Sequence, residues 1–219
     1  MKILSINISE PKKVMFNGKE LTTSIYKKPI EGSIEVTEVG LLGDRQADMK
    51  VHGGYDKALY AYSHKHYQTW SKEMNQDYSE FGLVGENLTI DDFDEKEIYI
   101  GDELKIGNCL FQISQPRIPC YKIGIKMNSR DFTKKFSQSG LLGSYLRVLE
   151  TGSISRGDEV EYIRKESDSM SVYEIAEVLF QDINNIDKMK KAVDLKYLTE
   201  EIKERFRERL MKLGDYSSL

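Results

Sequence analysis

The sequence predicts a mainly β fold with helices: a compact barrel of short strands over residues 1–165, followed by a small three-helix region over residues 166–219. Three observations predict it. The first part of the chain breaks into short alternating stretches separated by turn residues, the pattern of many short strands rather than a few long helices. Asn17-Gly18 lies between two such stretches, and this pair suits a type I′ hairpin because both positions take positive φ. After the polar stretch "RKESDSM" the apolar spacing changes to that of a helix.

In chain order, "KILSINIS" alternates as a first strand and "VMFNGKELTTSIY" is the hairpin. "GSIEVTEVG" alternates again. "ALYAYS" is a strand that runs into "HKHYQTWSKEM", a helix for which Ser63 is the candidate cap and whose Tyr67, Trp70 and Met74 share a face. "EIYIGDELKIGNCLFQIS" reads as strand, bend, strand, Gly107-Asn108 turn and strand, and "SYLRVLETGSISRGDEVEYI" repeats that style. "GDEL" at Gly101 and "GDEV" at Gly157 are candidate equivalent corners. Beyond the linker, Ser171 and Glu174 form a capping-box pattern ahead of Val172, Ile175 and Leu179 on one face. "DKMKKAV" is a second short helix. "TEEIKERFRERLMKL" is a third, with Ile202, Phe206, Leu210 and Leu213 at helical spacing. Three short helices bury too little surface to stand alone. They are expected to dock on the barrel, on a second subunit in a homodimer, or on a partner, as a docking element rather than as part of a pocket.

Composition excludes several classes of function. A formal net charge of -4 argues against general nucleic-acid binding, which needs a basic footprint. No run approaches the ~20 apolar residues of a membrane helix. "MKILSINISEP" lacks the apolar core of a secretory signal, so a cytoplasmic location is expected, with Cys109 and Cys120 as reduced thiols. Two cysteines are too few for an ordinary iron–sulfur cluster. No structural-zinc spacing, dinucleotide fingerprint or Walker A loop is present.

Three stretches carry candidate chemistry. In "SQPRIPCYKIG" Pro116 and Pro119 stiffen the segment around Cys120, while Arg117 and Lys122 bring positive charge that favours thiolate over thiol. Cys109 contrasts with it, since an apolar strand suits a buried, inert thiol. In "GLLGDRQADMKVHGGYDKALYAY" the paired Gly53 and Gly54 allow close backbone approach to a ligand. Arg45 and Lys50 in the same stretch are candidate anion donors, although a charged surface loop reads equally well, and a lone His52 reads first as a structural hydrogen-bonder. His64 and His66, two apart on a helix, point to different faces and do not chelate together. "GLVGENLTI" suits a polar lining around Asn87. Arg147 lies between Leu146 and Val148, so it faces away from the core if they face it.

Taken together, "NGKELTTSIYKKPI", "GLLGDRQADMKVHGGYDKALYAY", "GENLTI", "ISQPRIPCYKI" and "GLLGSYLRVLETGSISRGDEV", in that order, resemble the MOSC family, named for the C-terminal domain of molybdenum cofactor sulfurases. The likeness is greatest to bacterial members with a three-helix extension. It implies a β-barrel that holds the molybdenum cofactor, molybdopterin, with Cys120 as the protein's ligand to the metal. It also implies cofactor contacts among Arg45, Lys50, His52, Gly53, Gly54, Asn87, Arg117, Lys122 and Arg147. Members that this sequence is similar to reduce N-hydroxylated bases such as 6-N-hydroxylaminopurine, a two-electron reaction that releases water. With no dinucleotide fingerprint in the chain, the electrons are expected from a separate reductase. A non-catalytic cofactor carrier, or a sulfurtransferase with a persulfide on Cys120, are the alternatives.

Overall fold

A computed structural model of the chain describes residues 1–45, 53–166 and 168–215. Its main sheet contains β1 (Ile3–Ile8), β4 (Lys28–Pro29), β7 (Leu59–Ser63), β8 (Leu88–Ile90), β9 (Glu103–Ile106), β10 (Cys109–Pro116), β11 (Ser144–Glu150) and β13 (Val160–Arg164). The spatial order is β13-β9-β10-β11-β7-β8-β1-β4. Among the described strands, only the β7–β8 pair is parallel. A second sheet joins β12 (Gly152–Ser155), β5 (Ser33–Thr37) and β6 (Gly40–Leu41). The hairpin of β2 (Lys12–Phe16) and β3 (Lys19–Thr23) forms a third.

The expected barrel is not closed by a continuous ladder. Because β4 pairs only with the far end of β1, at Asn7 and Ile8, the start of β1 is left for the opposite edge. An isolated bridge from Lys2 to Glu159 makes that link, with backbone bonds from Ile3 N to Asp158 O at 3.0 Å and from Gly157 N to Ile3 O at 2.8 Å. The sheet therefore curls until its edges touch.

Local signals explain several elements. Phe16 pairs with Lys19 across a two-residue turn in which Asn17 (φ 50) and Gly18 (φ 75) are both left-handed, as a type I′ hairpin requires. The two "GDE" corners are the same turn built twice. Asp102 accepts from Tyr99 N, and Asp158 accepts from Ser155 N, each three residues back, ahead of the paired strands β9 and β13.

Other expectations need correction. "EIYI" forms no strand; its Tyr99 makes only an isolated bridge to Ser171. Ser63 does not cap the helix that follows, α1 (Lys65–Met74). It ends β7, its hydroxyl accepts from Phe93 N, and His64 occupies the cap position. Two helices stand beyond those the sequence predicts: α2 (Tyr121–Lys126) and α3 (Phe132–Ser139). Phe132 and Phe136 of α3 are fully buried against Trp70, ring centroids 4.9 and 5.6 Å away.

The C-terminal helices are α4 (Val172–Phe180), α5 (Ile186–Asp194) and α6 (Glu200–Lys212). Their partner is the sheet itself: Ile175, Met189, Ile202 and Phe206 belong to the same buried cluster as Leu104, Phe111 and Leu146. Full burial of each such side chain stabilises the fold by roughly 1.5–3 kcal/mol. Leu213, expected on the same stripe, stays exposed past the end of α6. The capping box is realised in both directions, Glu174 N to Ser171 Oγ and Ser171 N to Glu174 Oε2. Ser171→Ala is therefore expected to lower stability by about 1 kcal/mol in urea unfolding, with the fold unchanged.

Candidate functional site

The segment after β10 shapes the site. Pro116 ends the strand opposite Ser144, and Cys120 precedes α2 with extended backbone, its residue half-buried. Arg117 turns inward instead of toward solvent and is 6% exposed. Its guanidinium donates to Val84 O and lies over the Tyr60 ring, 4.7 Å from the centroid. Tyr60 in turn donates to Leu142 O at 2.6 Å. Burial opposes the Arg117 charge, but interactions with Tyr60, Tyr145 and Cys120 outweigh it and raise its pKa. Cys120 thus lies within electrostatic reach of both Arg117 and Tyr145.

Behind Arg117 the cluster widens. Lys27 and Asp44 form a buried ion pair at 2.5 Å, their side chains 8% and 3% exposed. Asp44 also accepts from Ser9 N and from Asn87 Nδ2, both at 2.8 Å. Asn87 uses its other amide atom to accept from Tyr60 N, so it fixes β7, β8 and Asp44 together. Glu86 accepts from Tyr67 Oη, Gly82 N, Val84 N and Thr89 Oγ1, which makes it the organiser of its loop. Two glycines bring that loop against residues 25–27. A Cβ on Gly82 would meet Lys27 O at 2.7 Å, and one on Gly85 would meet Ile25 Cγ1 at 2.8 Å.

Lys126, at the end of α2, closes the cluster by donating to Gly82 O and Ile25 O. Burial holds its pKa down to about 8; Arg117, Lys27 and Lys12 add repulsion that Glu86 only partly offsets. Between about pH 8 and the ordinary lysine value of 10.5, the unfolded chain carries a proton here that the folded chain lacks. Stability should therefore rise with pH across that window, by up to about 1.4 kcal/mol per unit, and the penalty should be full and constant below it. The check is urea unfolding of wild type beside Lys126→Met: the difference should move in favour of the wild type between pH 8 and 10.

The remaining candidates divide. Lys122 is half-buried in the first turn of α2. Arg45 is exposed and paired with Glu10 at 3.6 Å. Gly54 (φ 93) opens a short 3-10 turn, Tyr55–Lys57, with open space where a Cβ would stand, and Gly53 precedes it. Lys50 and His52 lie outside the described residues. Arg147 faces away from the core, as its spacing implied, but into a covered junction: it binds Asp56, Gln112 Oε1 at 3.0 Å and Tyr197 O at 2.7 Å. Sequence reasoning missed Lys27, Lys126, Tyr60 and Tyr145. Nothing in sequence separates a buried lysine from the solvated lysines around it.

Residues 48–161 match the MOSC domain family. The chain belongs to the MOSC family. Among its relatives, the uncharacterized protein YflK of Bacillus subtilis is 32% identical over 90% of this chain and 89% of its own length. Protein YiiM of Escherichia coli is 36% identical over 71% of this chain and 70% of its own. The solved structure of YiiM from Geobacillus stearothermophilus superposes with a TM-score of 0.81 at 29% identity, covering 95% of this chain and 98% of that one. A protein of Gibberella moniliformis named "Reductase" is 32% identical over 74% of this chain, which spans 29% of that longer protein.

In this MOSC protein the helical extension reaches the site's edge rather than standing apart. Thr199 donates to Gln115 Oε1 at 2.6 Å, just ahead of the Cys120 segment. Glu201, in the first turn of α6, pairs with Lys57 and is felt electrostatically by Tyr145, as Cys120 is. His66 bonds Glu95 at 2.7 Å while His64 packs on Tyr67 and Phe81, so the two imidazoles part as expected. No group of three or more His, Cys, Asp or Glu among the described residues is placed to hold a metal ion, and no helix there is long and apolar enough to cross a membrane.

Proposed function

We propose that this MOSC protein is a molybdenum-cofactor-binding reductase of N-hydroxylated compounds such as 6-N-hydroxylaminopurine, with Cys120 as the ligand to the metal. The observation that carries this reading is a half-buried thiol beside a buried cluster whose cations outnumber its acids. Among the described residues, Lys27, Arg117 and Lys126 meet Asp44 and Glu86 as their acids, and both carboxylates are already saturated with donors. Such a donor set fits molybdopterin. A single soft thiolate suits a metal that arrives with its own sulfur ligands, and surplus positive charge suits an anionic phosphate.

When bound, the cofactor supplies a two-electron centre able to take oxygen from an N–O bond. The chain's residues supply the setting. Arg117 cannot lose its proton near neutral pH, so its charge beside Cys120 is permanent. Its stacking on Tyr60 and bond to Val84 O fix that charge in place. The half-buried position of Cys120 leaves the thiol reachable while the strand, Pro119 and α2 limit its movement. Electrons come from a separate donor protein.

The test is to express the protein in cells that make the cofactor, quantify molybdenum and pterin in the pure sample, and assay 6-N-hydroxylaminopurine with a chemical reductant. Bound molybdenum and pterin with turnover are expected. Bound cofactor without turnover on any N-hydroxylated compound would make the protein a carrier. Sulfur transfer from Cys120 with neither molybdenum nor pterin bound would make it a sulfurtransferase.

A further inference from the structure

A cleft of about 280 Å³ opens between the Cys120 segment and the helical extension. Its walls are Ile118 on one side, Leu179 and Phe180 of α4 on another, and Arg205, Arg209 and Lys212 along one face of α6. Glu208 is the one acid in the lining, against three cations.

The cations differ in what already holds them. Arg205 shares Glu201 at 3.1 Å with Lys57, so one carboxylate serves two cations. Arg209 donates to Val178 O at 2.8 Å and Leu179 O at 3.4 Å, capping the last turn of α4. Carbonyls orient that guanidinium but do not neutralise it, and among the described residues no carboxylate lies within ion-pair distance of it or of Lys212. Burial, together with the neighbouring Arg205 charge, disfavours the protonated form of Arg209, the state of a cation short of a counter-ion. An anion entering the cleft would supply one, in a fork geometry suited to phosphate.

The cleft also lies at the right place. Ile118 is two residues from Cys120, at most about 7 Å between Cα atoms. Tyr145 is within electrostatic reach of Cys120 on one side and of Glu201, the partner of Arg205, on the other. The apolar wall of Ile118, Leu179 and Phe180 beside the cations suits a ligand with an uncharged body and an anionic end.

We propose that this cleft takes the phosphate of the substrate, so that N-hydroxylated nucleoside monophosphates are preferred over the free bases; this rests on the reductase reading of Cys120. The binding half is tested without cofactor. Calorimetry on the full chain compares AMP, adenosine and inorganic phosphate. AMP should bind about tenfold or more tighter than adenosine, and the margin should shrink in high salt. The double variant Arg205→Ala/Lys212→Ala, which spares the capping Arg209, should lose most of that margin, keeping what Arg209 alone supplies, and should keep the same unfolding midpoint. Equal affinity for AMP and adenosine, or AMP binding untouched in the double variant, overturns the site. Phosphate alone binding as tightly as AMP overturns the nucleotide assignment. Cofactor-loaded protein should then show a higher kcat/KM for N-hydroxylated AMP than for the base, a ratio the double variant lowers. Phosphate-dependent binding in a protein that never reduces either compound would retain the site and reject the reductase reading.

Discussion

Cys120→Ser is expected to leave the protein folded while molybdenum retention and turnover of N-hydroxylated substrate fall by more than about 100-fold, beyond the loss typical of a residue that merely supports a metal ligand. A hydroxyl is a harder and far less acidic donor than a thiol, so near neutral pH it stays protonated and is the poorer ligand for a metal already held by sulfur. The control lies in the same chain. Cys109 is 1% exposed in β10, and burial pushes its thiol up to about 11, so it remains a neutral packing group. Cys109→Ser should keep full turnover and lower stability by on the order of 1 kcal/mol. Metal analysis and urea unfolding of the two variants separate the roles. Normal molybdenum content and activity in Cys120→Ser would remove the ligand assignment altogether.

Asp44→Ala is expected to have the largest effect on stability, about 3–5 kcal/mol. The carboxylate neutralises Lys27 inside the protein and also accepts from Ser9 N and Asn87 Nδ2. Its removal strands a buried ammonium, for which burial already lowers the pKa against the opposing pull of Asp44. Below the ordinary lysine pKa of 10.5 the folded state must then either carry that unpaired charge or give up a proton. Adding Lys27→Met should recover much of the loss, because an apolar pair replaces a buried ion pair at little net change. Urea unfolding of the single and double variants at pH 7 decides it. A loss under 1 kcal/mol in the single variant would show that water reaches the pair.

Part of the candidate site was legible in the residues. The Pro116-to-Cys120 spacing pointed to a thiol held at a strand end, and Cys120 stands there, ahead of α2. Arg117 was legible as a nearby cation, but not as one turned inward on Tyr60. Asn87 was legible as a polar group before a strand, whereas its partners Asp44, Asn7 and Tyr60 come from three other segments. The helix α3 does carry a local signal, Phe132 and Phe136 four residues apart with Gly140 (φ 74) closing the turn. In contrast, the burial of Lys126 depends on carbonyls of Ile25 and Gly82, far away in the chain.

By itself the sequence determined what neighbouring residues decide among themselves. The left-handed pair Asn17-Gly18 makes a hairpin in any context that offers two strands, and Ser171 with Glu174 starts a helix through bonds spanning three residues. The paired "GDE" corners and the mainly β character belong to the same class of local preference. Only the tertiary structure decided which charges lose their water. Lys27, Lys126 and Arg117 read like any surface cations until loops from four parts of the chain close over them. It also decided that the C-terminal helices share the core of the sheet and bring Glu201 and Thr199 to the edge of the site. The physical reason is range. Backbone dihedrals and caps are set within a few residues, whereas desolvation and ion pairing depend on whatever is packed alongside, however distant along the chain.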